Sequence, residues 1–151
     1  MNPDEKSEPI VEFCQSIFEF RFRLRKMFQV KLKEAGMTIS FEVLEVMSIL
    51  HKKGGINQQE LADLLFKDKS SMTYLLDNMV KGGWVLRKED EVDRRNKLIF
   101  LTDKSHQLKE ELSPLVEQCF AVLSENITPQ DIKEGMHTLS KMNNSLLEFI
   151  I

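Results

Sequence analysis

The stretch that decides the fold runs from Asn57 to Thr102 and reads NQQELADLLFKDKSSMTYLLDNMVKGGWVLRKEDEVDRRNKLIFLT. Its spacing of apolar residues and helix breakers predicts a short helix, a tight turn and a second helix that ends at two glycines. Two short strands around a charged loop are expected to follow, at residues 84–88 and 98–101. Elements in this order predict a winged helix-turn-helix.

Local signals set the ends of the two motif helices. Asn57 with Glu60 three residues later fits a capping box, and Asp68 can cap the second helix, expected over residues 69–81. Residues 66–67 lie between the helices and form the turn. The side chains expected to face the core are Leu61, Ala62, Leu64, Leu65, Met72, Leu75, Leu76, Met79 and Val80.

Four further helices are predicted outside the motif, and a short lead-in, residues 1–9, precedes the first of them. The helices are expected over residues 10–36, 39–53, 102–125 and 128–150. Ile56 is expected to make a one-residue strand contact next to the motif. The capping residues are expected to be Thr38, Thr102 and Thr128, the last with Asp131.

The sequence therefore predicts a mainly α-helical fold with a small β-hairpin wing, in which a winged helix-turn-helix is joined to a helical dimerisation region. We expect an N-terminal dimerisation helix with its lead-in at residues 1–36. The winged helix-turn-helix DNA-binding domain is expected at 37–102, and C-terminal dimerisation helices at 103–151.

The long first and last helices carry apolar stripes that need a partner. A second copy of the chain can cover them, or the helices can fold back onto their own subunit. The stripes are Phe13, Ile17, Phe20, Leu24 and Met27, widened by Phe18 and Phe22; Leu108, Leu112, Leu115, Cys119 and Leu123; and Ile132, Met136, Leu139, Leu146 and Ile150.

Composition bounds the class of protein. The 151 residues are 42% hydrophobic, which is enough for a core, and no apolar run approaches the ~18 residues that a membrane span needs. The N-terminus is acidic and does not resemble a signal peptide. Two cysteines do not make a disulfide scaffold, so a cytoplasmic protein with reduced thiols is expected.

Charge is unevenly distributed along the chain. The formal net charge is -3, which by itself argues against a nucleic-acid partner. Residues 66–97, however, carry eight Lys or Arg against six Asp or Glu, whereas residues 103–151 carry four against eight. The basic residues are therefore concentrated where the motif lies.

The motif has the chemistry for reading double-stranded DNA. A helix that enters the major groove presents short polar and basic side chains from its first turns, and arginines suit a narrow minor groove. Asp93 is expected to pair with a neighbouring arginine and fix the wing. The candidate DNA-binding residues are Lys69, Ser70, Ser71, Thr73, Tyr74, Asn78, Lys81, Arg87, Arg94, Arg95 and Lys97. The alternative is a winged-helix protein-interaction module without DNA binding.

The motif resembles the MarR family of transcriptional regulators. The resemblance covers the layout of residues 10–150 and is specific within 58–102. It implies a homodimer, acting as a repressor on a pseudo-palindromic operator, that a small molecule or an oxidant releases from DNA. The segments that carry it are Gln58-Gln59-Glu60-Leu61-Ala62, Lys67-Asp68-Lys69-Ser70-Ser71, Leu76-Asp77, Gly83-Trp84-Val85 with Arg87, Asp93-Arg94-Arg95 with Lys97, and Leu101-Thr102.

Two positions depart from the family pattern. Tyr74 stands where members often carry arginine, so the base contact there is expected to differ. Ser105 stands where members often carry glycine, which is expected to affect only the start of the helix that follows the wing.

The signal that would release DNA has one candidate residue. In a peroxide-sensing branch of the family a reactive cysteine occupies a place similar to Cys14, beside tyrosines, but the one tyrosine of this chain is Tyr74. Cys14 is therefore either a redox sensor or a small buried apolar residue. The histidines His51, His106 and His137 are scattered, so no metal site is expected. No catalytic motif is recognisable, and neither enzyme activity nor a cofactor is expected.

Overall fold

The computed structural model describes residues 3–150, with side chains from residue 7 onward. The described range is mainly helical with one small antiparallel sheet, which confirms the predicted fold class. No helix within it is both long enough and apolar enough to cross a membrane. In chain order the elements are α1 (Pro3–Glu34), α2 (Phe41–Lys52), β1 (Ile56–Asn57), α3 (Gln58–Leu64), α4 (Lys69–Lys81), β2 (Val85–Glu89), β3 (Lys97–Leu101), α5 (Asp103–Ser124) and α6 (Pro129–Ile150).

The chain divides into two compact units, Met1–Leu115 and Val116–Ile151, with the division inside α5. The core of the first unit is formed by α2, α3 and α4 together with the sheet. The most deeply buried apolar side chains from these elements are Val46, Met47, Leu50, Leu61, Ala62, Met72, Leu76, Met79, Val85 and Ile99. The winged helix-turn-helix therefore has a hydrophobic core of its own.

The sheet has the order β1-β3-β2. Ile56 of β1 lies opposite Ile99 of β3, so the predicted one-residue strand contact is confirmed and extends to Asn57. On the other side of β3, the β2 ladder runs from Val85 opposite Leu101 to Glu89 opposite Lys97. The hairpin is therefore anchored to the core by β1 and carries the wing at its far end.

Three of the predicted helix caps are confirmed. The Asp68 carboxylate accepts from the backbone N–H of Ser71 at 2.7 Å, at the start of α4. Thr102 Oγ1 accepts from the N–H of Ser105 at 3.3 Å, at the start of α5. At the start of α6, Thr128 and Asp131 form the reciprocal pair that defines a capping box.

Other expected helix starts differ. Helix α1 begins at Pro3, seven residues before the predicted start, and continues through Pro9. A proline in the first turn, such as Pro3, is compatible with a helix. Ser40 caps α2 instead of Thr38. Asn57 caps α3 through the N–H of Gln59, at 2.6 Å, so it does not form the predicted capping box. The Glu60 carboxylate lies 3.9 Å from Lys53 Nζ instead.

Two side chains expected in the core are exposed. Leu64 is 41% exposed in the last turn of the seven-residue helix α3. Val80 is 39% exposed, since it lies about 100° around α4 from Met79 and so falls on the flank of the buried stripe. Leu65 and Leu75 are half-buried. Of the predicted core of α4, only Met72, Leu76 and Met79 are fully buried.

The end of α4 depends on a glycine. The N–H of Trp84 donates to the Met79 carbonyl at 2.9 Å and that of Gly83 donates to Val80 at 3.0 Å. This pair of bonds is a Schellman motif, which requires a left-handed residue after the helix. Gly83, with φ 76°, provides it, and the chain then turns into β2.

Side chains from the start of α5 bind the carbonyls of residues 82–84 at the end of α4. Thr102 Oγ1 donates to the middle carbonyl at 2.6 Å, and Lys104 Nζ donates to the first at 2.7 Å. Ser105 is fully buried and donates to the carbonyl of Trp84. Lys104 Nζ also lies 4.1 Å from the centroid of the Trp84 ring, as a cation–π pair. We call these contacts the α4–α5 junction. Ser105 therefore does more than begin a helix.

Helix α1 contacts α2 through charge and through aromatic packing. Arg21 Nη2 lies 3.3 Å from a Glu45 carboxylate oxygen, and Arg25 pairs with Glu42. The Phe28 ring packs on a ring of α2 with a centroid distance of 5.4 Å. The C-terminal half of α1 is thus fixed to the winged helix-turn-helix.

The remaining faces of the long helices are apolar and exposed. In α1, Phe18 and Phe22 are 73% and 68% exposed. In α6, no described side chain is buried, although its apolar residues recur on one face. The exposed members of the predicted α6 stripe are Ile132, Met136, Leu139, Leu146 and Ile150. The predicted α5 stripe is confirmed in its buried members, Leu108, Leu112 and Cys119.

The turn between α3 and α4 contains a strained residue. The N–H groups of Phe66 and Lys67 donate to Asp63 and Ala62, again as a Schellman motif. Phe66 occupies its left-handed position with φ 53°, and it is the only non-glycine residue in the described range with positive φ. Its ring is 96% exposed, so no burial compensates the strain.

We predict that Phe66→Gly stabilises the fold. A left-handed conformation costs an L-residue roughly 1–2 kcal/mol, and the extra freedom of glycine in the unfolded chain offsets part of this gain. The free energy of unfolding should therefore rise by about 0.5–1 kcal/mol relative to Phe66→Ala, which removes the exposed ring but keeps Cβ. Denaturant titrations at one protein concentration measure the difference. Equal stability of the two variants would show that the turn holds no such strain.

Candidate nucleic-acid interface

The face of α4 that points away from the core is polar and open to solvent. Thr73 is half-buried, and Tyr74 is 73% exposed at the centre of this face. Since the fully buried residues of α4 are Met72, Leu76 and Met79, the opposite side is exposed and can enter a groove. The other exposed members of the face are Lys69, Ser70, Ser71, Asn78 and Lys81.

The wing is held in shape by its own carboxylates. The Asp90 N–H donates to the Asn96 carbonyl at 3.1 Å, which closes the loop. Asp90 Oδ1 accepts from the N–H of Val92 at 3.0 Å. Asp93 Oδ1 accepts from the N–H of Arg95 at 3.1 Å, so Asp93 fixes the loop through a backbone amide and not through the expected arginine side chain. This leaves the guanidinium of Arg95 outside the bonding of the loop.

The candidate cations divide into a paired group and an unpaired group. Arg87 Nη1 lies 2.7 Å from Asp77 Oδ1 and joins β2 to α4, and its side chain is only 26% exposed. Lys97 Nζ lies 3.2 Å from Glu89 Oε1 across the base of the wing. Within residues 7–150, no carboxylate lies within ion-pair distance of the unpaired group, which comprises Lys69, Lys81, Arg94 and Arg95.

A cavity of about 290 Å³ lies between the starts of α3 and α4 and the wing. Lys69, Arg95 and Lys97 bring three cations to it, from both sides. Their positive charge suits a phosphate group. The remaining lining residues are Asn57, Gln58, Gln59, Ala62, Met72 and Asn96.

The carboxylate of Asp68, at the start of α4, is bonded within the protein as the helix cap. Hydrogen bonds from Ser71, first of all from its backbone N–H, hold the pKa of Asp68 below its usual value. Lys67 acts in the same direction by its charge. Asp68 therefore stays ionised as the helix cap.

Comparison with known proteins identifies this arrangement. The MarR family model matches residues 40–97, which include α2, the helix-turn-helix and the wing up to the start of β3. This part of the chain therefore carries a MarR family domain. The chain is 28% identical over 128 residues to the transcriptional regulator SarZ of Staphylococcus epidermidis, across 85% of this chain and 84% of SarZ. The residues that match the MarR family model form the winged helix-turn-helix described above.

Solved structures show the same fold over nearly the whole chain. A mutant of MarR from E. coli in complex with operator DNA matches with a TM-score of 0.79 at 23% identity, over 89% of this chain and 95% of that one. Overoxidized AbfR bound to DNA matches with a TM-score of 0.76 at 21% identity, over 96% and 99% of the two chains. At these identities the likeness establishes the fold.

The structure adds polar residues that the sequence did not single out. Gln58 Nε2 donates to Thr73 Oγ1 at 3.0 Å and so joins α3 to α4. Asp77 holds Arg87 as described. Gln58 and Asp77 both lie in segments of family resemblance, but neither is among the candidate DNA-binding residues. Both contacts join residues at least ten positions apart, so no local pattern of spacing marks them.

The histidines and cysteines are also placed by the structure. The His51 and His106 rings, from α2 and α5, are in edge contact with centroids 5.3 Å apart, so these two are not scattered. Burial, then the charges of Lys109 and His106, lower the pKa of His51, which favours a neutral ring in this contact. No group of three or more potential metal ligands occurs among residues 7–150. Cys14 is half-buried and Cys119 is buried.

Proposed function

We propose that this protein is a cytoplasmic, homodimeric repressor of the MarR family that binds a pseudo-palindromic operator with one α4 helix per half-site. The proposal rests on two features of one winged domain. The polar face of α4 is exposed, and Arg94 and Arg95 of the wing have no ion-pair partner among residues 7–150. A helix with a basic wing beside it can occupy the major groove and the adjacent minor groove of one DNA duplex.

Each candidate residue takes a role from its surroundings. Ser70, Ser71, Thr73, Tyr74 and Asn78 lie on α4 and are assigned to bases or adjacent phosphates. Lys69 and Lys81, which are exposed and unpaired in the described range, are assigned to phosphates.

The wing residues divide between contact and support. Arg94 and Arg95 are assigned to the minor groove. Lys97 borders the cavity with Arg95 and is assigned to a phosphate there, in competition with Glu89. Arg87 is held by Asp77, so we assign it to fixing β2 against α4 rather than to direct contact with DNA.

We predict that the double substitution Arg94→Ala and Arg95→Ala weakens binding to the protein's own promoter at least tenfold. Because the variant brings two fewer cations to the DNA, the negative slope of log K against log salt should also become shallower. Mobility shifts or fluorescence anisotropy at several salt concentrations measure both quantities. The matched control is Lys133→Ala with Lys141→Ala, which removes the same charge from α6.

Two outcomes would contradict different parts of this proposal. Unchanged affinity and slope in the Arg94/Arg95 variant would remove the wing from the interface. If the unaltered protein retards no promoter sequence at moderate salt in preference to competitor DNA, the alternative of a winged-helix protein-interaction module replaces DNA binding.

The proposed dimer rests on exposed apolar side chains at both ends of the chain. The side chains of the α6 stripe are between 39% and 74% exposed. Phe18 and Phe22 of α1 are 73% and 68% exposed. Large contiguous apolar faces of this kind are rare on monomeric soluble proteins and mark interfaces. A second copy of the chain offers the same faces, as a two-fold symmetric interface requires.

We predict that Met136→Glu dissociates the dimer. Met136 is 68% exposed, so a charge there is tolerated in a monomer but is costly in an apolar interface. Sedimentation velocity should show a shift from twice the monomer mass towards the 17.6 kDa monomer, with a loss of operator binding. Thr138→Glu adds the same charge outside the apolar stripe of α6 and should remain dimeric. A Met136→Glu variant that remains dimeric would exclude this stripe from the interface.

We further propose that a small molecule or an oxidant acting on the helices outside the winged domain releases the DNA, and that Cys14 is the residue an oxidant would modify. Cys14 is half-buried, and it lies one helical turn before the exposed Phe18. Converting its thiol to a polar oxidised form beside an apolar interface would disturb the packing of two subunits.

For this proposal we expect hydrogen peroxide to weaken operator binding and Cys14→Ser to prevent the effect. Cys119→Ser is the matched control, because Cys119 is 1% exposed, and this variant should respond like the unaltered protein. Anisotropy before and after stoichiometric peroxide, followed by reduction, measures the response. If peroxide has no effect on the unaltered protein, the oxidant is excluded and the small molecule is left as the signal.

A further inference from the structure

Two neighbours fix the hydrogen-bonding role of the Thr73 hydroxyl, which donates to one of them and accepts from the other. Thr73 Oγ1 donates to the carbonyl of Lys69, one turn earlier on α4, at 2.8 Å. The same oxygen accepts from Gln58 Nε2, the first residue of α3, at 3.0 Å. Thr73 is half-buried, so part of its side chain is open to whatever α4 meets.

Hydrogen-bond accounting then fixes what this hydroxyl can still do. A threonine hydroxyl has one hydrogen and two lone pairs. The hydrogen is committed to Lys69, whose carbonyl can only accept, and one lone pair is occupied by Gln58. What is left is a single lone pair. Towards a third group, Thr73 is therefore an acceptor and not a donor.

The same accounting fixes the orientation of the Gln58 amide. The two ends of a glutamine amide are assigned from the hydrogen bonds they make. Because the Thr73 hydrogen points to Lys69, only the NH₂ end of Gln58 can satisfy the Thr73 oxygen. The polarity of Thr73 is thus set from α3, by a residue that itself borders the cationic cavity with Lys69 and Arg95.

In the major groove the four bases differ in what they offer an acceptor. Adenine N6 and cytosine N4 are donors, whereas guanine O6 and thymine O4 are acceptors. An acceptor-only side chain facing O6 or O4 leaves both groups without a hydrogen, which costs more than a bond gains. The polarity of Thr73 therefore selects for an amino group.

We propose that Thr73 determines sequence specificity by accepting a hydrogen bond from the exocyclic amino group of an adenine or cytosine, and that Gln58 is the positioning residue that enforces this polarity. This inference rests on the proposed function, since it requires α4 to lie in the major groove. It goes beyond that function by naming the chemical group read at one position of each half-site.

The test begins with operators that the unaltered homodimer selects from a random DNA library. Affinities are then measured for the selected operator and for its single base-pair changes, with the unaltered protein, Thr73→Val and Gln58→Met. Valine keeps the shape and the methyl group but has no hydroxyl. Methionine keeps the length of Gln58 but frees the Thr73 hydroxyl to rotate and donate.

We expect the selected operator to carry adenine or cytosine at one symmetric pair of positions. Both variants should lose about tenfold of the preference for that base. Preferences elsewhere and the salt dependence should not change, whereas a merely structural role would weaken all sequences alike. Gln59→Met is the matched control. Gln59 borders the same cavity, but its amide donates to Asp63, so this variant should keep the preference.

A base analogue separates the hydrogen bond from contact with the threonine methyl group. If adenine is selected, purine in its place lacks the 6-amino group. This replacement should lower the affinity of the unaltered protein about tenfold and leave the affinity of Thr73→Val unchanged. If cytosine is selected, the analogue lacking the 4-amino group serves in the same way.

Three results would overturn the inference while leaving DNA binding intact. They are a Thr73→Val variant with unchanged preference at every position, an affected position that carries guanine or thymine, or an analogue that binds as well as the normal base. If the unaltered protein selects no sequence at all, it is the proposed function that fails.

Discussion

The end of α4 is bonded to the start of α5, and the rest of the structure depends on this junction. The carbonyls of the three residues that follow α4, residues 82–84, are bound by Thr102, Lys104 and Ser105. Ser105 is fully buried there, so its bond to Trp84 is shielded from water. The helix that would read DNA and the helix that leads out of the domain therefore share one set of hydrogen bonds.

Other contacts fix α4 at its remaining sides. Leu76 and its neighbours in the buried stripe hold it to the core, and Asp77 binds Arg87 on the wing strand. Gln58 binds Thr73 near its first turn. A helix fixed on three sides does not move alone, because a shift of α4 would break bonds to α3, β2 and α5 together. In the proposed dimer, a releasing signal would therefore change the distance between two intact winged domains and would not reshape either of them.

The sequence predicted the parts of this fold whose causes are local. The caps at Asp68, Thr102 and Thr128 and the stop at Gly82 and Gly83 follow from residues within a few positions of each other. The exposure of Leu64 and Val80 does not, because it depends on how far the core extends at each helix end.

Within the interface the same division holds. The list of polar residues on α4 follows from helical periodicity, and their exposure agrees with it. The Gln58–Thr73 bond and the burial of Ser105 join elements distant in sequence, so a single sequence does not contain the geometry that creates them. Phe66 is different again. Phenylalanine disfavours the left-handed conformation that this turn requires, so local sequence rules do not predict the turn geometry at Phe66.

The net charge of -3 is a poor guide to the charge that the proposed interface presents to DNA, because most carboxylates near it have structural partners. Five of the six in residues 66–97 are bonded within the protein: Asp68, Asp77, Glu89, Asp90 and Asp93. In the described part of the chain only Glu91 among the six has no such partner. Two of them, Asp90 and Asp93, shape the loop that presents Arg94 and Arg95. Replacing them with neutral residues would make the wing more basic and less ordered, so removing acid here need not strengthen DNA binding.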